Sequence, residues 1–207
     1  MPVHLVDHPL VHDALASLRN KHTTPERFRR AATRISVLLA AEALRDIATV
    51  ATTVDTPLGP AVATEIGADV VVVPVLRAGL GMLDAVLELV PRARVGHIGL
   101  QRDEMTAVAS QYYSKLPPRL DEAFVVVIDP MLATGGSAVA ALDLLQRAGA
   151  RAIRMICIVA APEGIALVEQ RHCDVKIYTP VVDRGLNEHK YIVPGLGDFG
   201  DRLYGTI

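Results

Sequence analysis

The stretch VVVIDPMLATGGSA, Val125 to Ala138, constrains the fold more than any other part of the chain. Four apolar, mostly β-branched residues (Val125, Val126, Val127, Ile128) read as a strand of a parallel sheet buried on both faces. The strand ends on an acid, Asp129. A short loop through Pro130, Met131, Leu132 and Ala133 closes with Thr134-Gly135-Gly136-Ser137, and a helix follows. The glycines let the backbone come close to a ligand, and the first helical turn offers unpaired N–H groups at its positive end. Thr134 and Ser137 add hydroxyl donors. Such a loop suits a phosphate monoester, and a carboxylate beside it suits sugar hydroxyls, so the unit points to a ribose phosphate. Taken alone, Gly-Gly between strand and helix is also an ordinary tight turn. No Lys follows the glycines, so this is not a Walker A loop.

The rest of the chain fits a sheet of that kind. Hydrophobic residues make up 51% of the 207, aromatics only 4%, and Trp is absent, so the core must be Val, Leu, Ile and Ala. That composition suits parallel strands covered by helices on both faces. Strands are expected at Val70–Val75, Val95–Leu100, Val125–Asp129, Ile153–Ala160 and Val175–Thr179. They alternate with helices at Leu80–Leu89, Gly136–Ala148 and Pro162–His172. Two further helices, Pro9–Asn20 and a long one from Thr24-Pro25-Glu26 to about Ile47, come first. The pattern predicts one α/β domain over residues 1–207, with a doubly wound, mostly parallel sheet flanked by helices. Gln101 to Pro118 reads as an extended β-arm, and with the C-terminal segment it is expected to form a small hood. In sheets of this type ligands bind beyond the carboxyl ends of the strands.

Two other stretches reach those ends. Strand Val70–Val75 runs into Leu76-Arg77-Ala78-Gly79, where one Arg beside small residues suits a pyrophosphate; the alternative is a surface Arg on an ordinary turn. Arg102 stands past the next strand end as a second candidate anion ligand. The segment Tyr191-Ile192-Val193-Pro194-Gly195-Leu196-Gly197-Asp198-Phe199-Gly200-Asp201-Arg202 sets glycines around an acid. Its backbone could read a flat heterocycle with alternating carbonyl and N–H edges. The net charge of −2 gives no general pull toward nucleic acid. No apolar run reaches membrane-spanning length, and the polar start gives no signal peptide. Cys157 and Cys173 have no metal-site spacing, and Cys157 sits in an apolar run as a core residue. A reducing cytoplasm is the expected setting.

Taken in order, these stretches resemble the uracil phosphoribosyltransferase family, within the type I phosphoribosyltransferase fold. The resemblance rests on VPVLRAGLGM (Val73 to Met82), VIDPMLATGGSA (Val127 to Ala138) and GLNEHKYIVPGLGDFGDRLYGT (Gly185 to Thr206). AAPEGI (Ala160 to Ile165), VDHPL (Val6 to Leu10) and YYSKLP (Tyr112 to Pro117) also match. It implies joining uracil to 5-phosphoribosyl 1-pyrophosphate, giving uridine monophosphate and pyrophosphate. Carried over residue by residue, it implies that Asp129 holds the ribose hydroxyls and that Ala133 to Ser137, with Pro130, Met131 and Leu132 leading in, wrap the 5′-phosphate. Arg77, Ala78 and Gly79 would hold the pyrophosphate, with Arg102 reaching in from the arm and Asp198 facing the ribosyl pyrophosphate. Asp129, Arg77, Arg102 and Asp198 are then the catalytic candidates. Uracil would lie against Ile192 and pair with backbone near Ile192, Gly197, Asp198 and Phe199. Mg2+ would arrive on the substrate, with no protein metal ligand assigned. A homodimer or larger homo-oligomer is expected; whether GTP or another nucleotide activates the enzyme stays open.

The chain departs from the family at Phe199, where many members have Ala, and at Ala107–Gln111 in the arm. Two rival readings keep the fold. A pyrimidine-operon RNA-binding regulator would need a basic face, against which stand the acidic balance and four scattered lysines (Lys21, Lys115, Lys176, Lys190). A purine phosphoribosyltransferase would need a wider base pocket than the Gly197–Phe199 turn suggests.

Overall fold

The computed structural model describes residues 3–102 and 109–206. In chain order the elements are β1 (Val3–Leu5), α1 (Pro9–Arg19), α2 (Pro25–Ala43), β2 (Thr49–Thr56), β3 (Gly59–Ile66), β4 (Val70–Leu76), α3 (Leu80–Leu89), β5 (Arg94–Val95), β6 (His97–Arg102), β7 (Ala109–Lys115), β8 (Phe124–Ile128), β9 (Met131–Leu132), α4 (Gly136–Arg147), β10 (Ala152–Ile156), β11 (Val159–Ala160), α5 (Pro162–Arg171), β12 (Lys176–Thr179), β13 (Gly185–Leu186), β14 (Ile192–Val193) and α6 (Phe199–Tyr204). The main sheet runs β1-β12-β10-β8-β4-β6-β7, with β5 also on β4. Every pairing in it is parallel except β6 with β7.

The valine runs explain why the sheet is covered twice. Along β4 and β8 successive side chains leave opposite faces. Val70, Val72, Val126 and Ile128 enter one core with α1, α2, α3 and α6. Val71, Val73, Val125 and Val127 enter the other with α4 and α5. Cys157, fully buried just past β10, belongs to the second core, and burial pushes its thiol up to about 12, so it stays neutral. Arg154 is the exception on β10. Its guanidinium leaves the sheet to meet Asp46 and the Ala43 carbonyl beyond the end of α2, and it lies over the Phe124 ring at 4.8 Å. That partner holds the Asp46 carboxyl below its ordinary range.

The expected helices and core strands are present, with ends shifted by a few residues, except that the strand expected at Val95–Leu100 is split at Gly96 into β5 and β6; the long helix stops at Ala43. The stretch expected as one strand from Ile153 to Ala160 is broken: β10 ends at Ile156, and the separate β11 pairs with β9 away from the main sheet. The hairpin β2–β3 has no counterpart among the expected elements. Its strands pair over eight residues each; β2 is exposed almost throughout, and β3 alternates only between half-buried and exposed positions, with no buried residue in either. The arm is a strand pair, β6 with β7, and Tyr112 lies over Gly99 so closely that a Cβ there would meet the ring at 2.5 Å. Of the departing stretch Ala107–Gln111, Ala107 and Val108 lie outside the described residues. Among the described residues no helix is long and apolar enough to cross a membrane.

Candidate active site

The loop after β8 is shaped by its neighbours. The Asp129 N–H donates to the Ile156 carbonyl at 3.1 Å, and the Met131 N–H donates to Asp129 Oδ1 at 3.2 Å. The carboxylate therefore closes an Asx turn at the strand tip. The Pro130 carbonyl accepts from Ile158 and Val159, both at 3.0 Å, and β9 then pairs in parallel with β11. Gly164, in the first turn of α5, presses on this loop: a Cβ there would come within 2.5 Å of the Ala133 carbonyl oxygen. AAPEGI is thus the buttress of the loop.

The two glycines of the loop have different roles. Gly135 caps α4 at φ +83°, and a Cβ on it would meet the Gly164 carbonyl oxygen at 2.8 Å. Gly136 has ordinary helical backbone, and its nearest neighbour to an added Cβ is Thr134 Oγ1 at 3.7 Å. Conformation and space require glycine at 135 and not at 136.

A cleft of about 370 Å3 lies beside this loop. It joins Met131 and Ala133 to Ile192, Gly197, Asp198 and Phe199, so residues expected to hold phosphate and base line one space. His189, Lys190 and Tyr191 line it too. They stand in the loop between β13 and β14, where Asn187 Oδ1 accepts from the His189 and Tyr191 N–H groups at 3.0 and 2.9 Å. Glu163 of α5 ties this hairpin down by accepting the Leu186 N–H at 3.0 Å.

Asp198 caps α6, its Oδ1 accepting the Asp201 N–H at 2.9 Å, and is itself exposed. Phe199 follows it in the chain. It edges the cleft, yet it is only 1% exposed, and its ring packs against Phe28 in a T-shape at 5.2 Å. The side chain belongs to the core under α2, α3 and α6.

The Arg77 turn reaches the C-terminal segment by another route. Arg77 lies 3.8 Å from Asp201, and the Tyr204 hydroxyl donates to the Arg77 carbonyl at 3.4 Å. Its side chain is 65% exposed and so accessible to an anion. Gly79 is required by packing, since a Cβ there would meet the Ile128 carbonyl oxygen at 2.5 Å. Arg102 ends β6, and its side chain lies outside the described residues. Among the described residues no group of three or more His, Cys, Asp or Glu could hold a metal ion.

Sequence reasoning missed Arg19, Asp183 and Arg202 as site-building residues. Arg19 and Asp183 form a paired fork 164 residues apart in the chain, which no local motif could announce.

The model of the family described as uracil phosphoribosyltransferase matches residues 5–206. The chain is similar to the uracil phosphoribosyltransferase of Symbiobacterium thermophilum, 51% identical over 98% of this chain and 97% of the relative. It is also similar to that of Shouchella clausii, 49% identical over 99% and 98%. A solved structure of an Aquifex aeolicus protein superposes with a TM-score of 0.93 at 38% identity, covering 98% of this chain and 97% of that one. The adenine phosphoribosyltransferase of Leishmania donovani shares the fold, with a TM-score of 0.58 at 15% identity over 91% of this chain and 87% of that one.

Proposed function

This chain belongs to the uracil phosphoribosyltransferase family, and from that membership we infer how its own residues serve the reaction. It is a pentosyltransferase of pyrimidine salvage: uracil and 5-phosphoribosyl 1-pyrophosphate give uridine monophosphate and pyrophosphate. The observation that carries the residue assignment is the shared cleft, with the Met131–Ala133 loop on one wall and Ile192, Gly197 and Asp198 on the other. A phosphate loop and a heterocycle-reading backbone are useful together only to a reaction that joins the two ligands.

The chemistry asks for positioning and charge stabilisation. The loop from Ala133 to Ser137 holds the 5′-phosphate at the N-terminus of α4. Asp129, at the strand tip, holds the ribose hydroxyls and faces the positive charge that develops as pyrophosphate leaves. Arg77, with the Ala78-Gly79 backbone, holds the departing pyrophosphate, and Arg102 and Asp198 complete its surroundings. A ring nitrogen of uracil, held by the backbone from Ile192 to Phe199, attacks the ribosyl carbon as that carbon's bond to the pyrophosphate oxygen breaks, and the nitrogen's proton passes to the departing pyrophosphate or to water. An Mg2+ ion bound with the pyrophosphate would supply Lewis-acid neutralisation of its charge. The free thiols Cys157 and Cys173 fit a reducing cytoplasm. A homodimer or larger homo-oligomer fits the apolar surface of the β2–β3 hairpin, where Leu58 and Val62 are 99% and 86% exposed.

Pyrophosphate release with uracil, set against cytosine, hypoxanthine, guanine and adenine, tests the reading directly. Two variants test the assignments. Asp129→Asn keeps shape and removes charge, so turnover should fall by roughly a hundredfold, the equivalent of about 3 kcal/mol. Near-normal turnover in a folded variant would remove Asp129 from its role. Gly135→Val should abolish measurable binding of phosphoribosyl pyrophosphate by calorimetry, whereas Gly136→Ala should leave affinity within about threefold of wild type, since only the first position has a positive φ. Unchanged affinity in a folded Gly135→Val variant would place the phosphate elsewhere.

A further inference from the structure

We propose that Arg19 and Asp183 are positioning residues for the base: together they fix the turn at Gly195 that presents the uracil-reading backbone. The proposal rests on the reading of that cleft as the uracil site. Arg19 is the last residue of α1, and Asp183 follows the short pairing of Val182 with Ala160. Arg19 donates through Nη2 to Asp183 Oδ1 at 2.7 Å and through Nη1 to Oδ2 at 3.1 Å. The same two side chains grip one residue of the turn on both sides. The Gly195 N–H donates to Asp183 Oδ2 at 2.8 Å, and the Gly195 carbonyl accepts from Arg19 Nη1 at 3.0 Å.

Gly195 is where the turn is tightest. Its φ is +58°, and a Cβ would lie 2.2 Å from the Ile192 carbonyl oxygen. The next carbonyl, Leu196, accepts from Arg202 Nη1 at 2.6 Å. Two consecutive carbonyls are therefore held by arginines, and the chain enters the cleft again at Gly197 with its orientation set. The anchor is also bonded to the loop after β8. The Asp183 N–H donates to the Ala160 carbonyl at 2.8 Å, and Ala160 pairs with Leu132 of the phosphate loop. A chain of bonds from Leu132 through Ala160 and Asp183 to Gly195 thus fixes the distance between base turn and phosphate loop.

Stability alone is a poor account of this pair. The Asp183 side chain is 4% exposed and that of Arg19 is 24% exposed. Desolvating two charges cancels much of their attraction, while the planar fork enforces a geometry that no apolar pair could enforce.

The test uses Asp183→Asn and Arg19→Lys in the full chain. Asn keeps an acceptor for the Gly195 N–H and loses the charged fork; Lys keeps the charge and loses the planar bridge. In both, KM for uracil should rise at least about tenfold, while calorimetric affinity for phosphoribosyl pyrophosphate stays within about twofold of wild type. An unchanged uracil KM in a folded variant, or equal weakening toward both substrates, would overturn the proposal. Amide hydrogen exchange on the wild-type protein gives a second measurement independent of the variants. The Gly195 N–H should exchange about as slowly as the β14 amides, and exchange at free-loop rates overturns the assignment. Failure of the family reading would look different: the wild-type chain itself would release no pyrophosphate with uracil.

Discussion

Uracil should be used over cytosine by roughly four orders of magnitude in kcat/KM, the range reached by sites that read polar edges. Cytosine carries an amino group where uracil has a carbonyl oxygen. If a backbone N–H between Gly197 and Phe199 donates to that oxygen, cytosine sets donor against donor. Leaving a buried donor unmatched costs about 1–3 kcal/mol by itself, and misalignment of the attacking nitrogen adds to it. Competitive turnover with radiolabelled bases measures the ratio. A ratio below about a hundred would mean that side-chain shape, and not backbone, chooses the base.

Replacing Phe199 by Ala should cost about 3–5 kcal/mol of folding stability, the range for truncating a buried aromatic ring. The ring packs on Phe28 from one side. From the other, its Cε1 lies 3.1 Å from where a Cβ on Gly81 would stand. Removing it leaves a cavity among α2, α3 and α6. Urea unfolding would show the midpoint fall, while the preference for uracil over cytosine should persist in the protein that remains folded. Gain of cytosine turnover with unchanged stability would put the ring in the base pocket.

Phe199 also shows where sequence reading meets its limit. Its neighbours Gly197 and Asp198 announce a ligand-binding turn, so the residue is easily read as part of the pocket. Nothing in the local sequence says that the chain folds inward there, because α6 is a six-residue helix started by the Asp198 cap and closed by Gly205 at φ +71°. The parallel strands were legible because burial on both faces leaves an unbroken valine run. Residues 49–66 were not, because no residue of this hairpin is buried, so its apolar residues need not follow the strand period. The strand-to-helix turn after β8 was legible from Asp129 and its glycines, but β9 and β11, two residues each, carry no periodicity at all. The Arg19–Asp183 fork lies furthest beyond sequence reading, since it exists only after the two ends of the domain meet.

The contact between the phosphate loop and α5 limits how this protein can vary. A Cβ on Gly135 strikes Gly164, and a Cβ on Gly164 strikes the carbonyls of Leu132 and Ala133. In most packed pairs an enlarged residue can be accommodated by shrinking its neighbour. Here both partners are already glycine and the obstruction is backbone, so there is nothing left to shrink. A genetic selection starting from Gly135→Val should therefore return true revertants and no second-site suppressor at position 164.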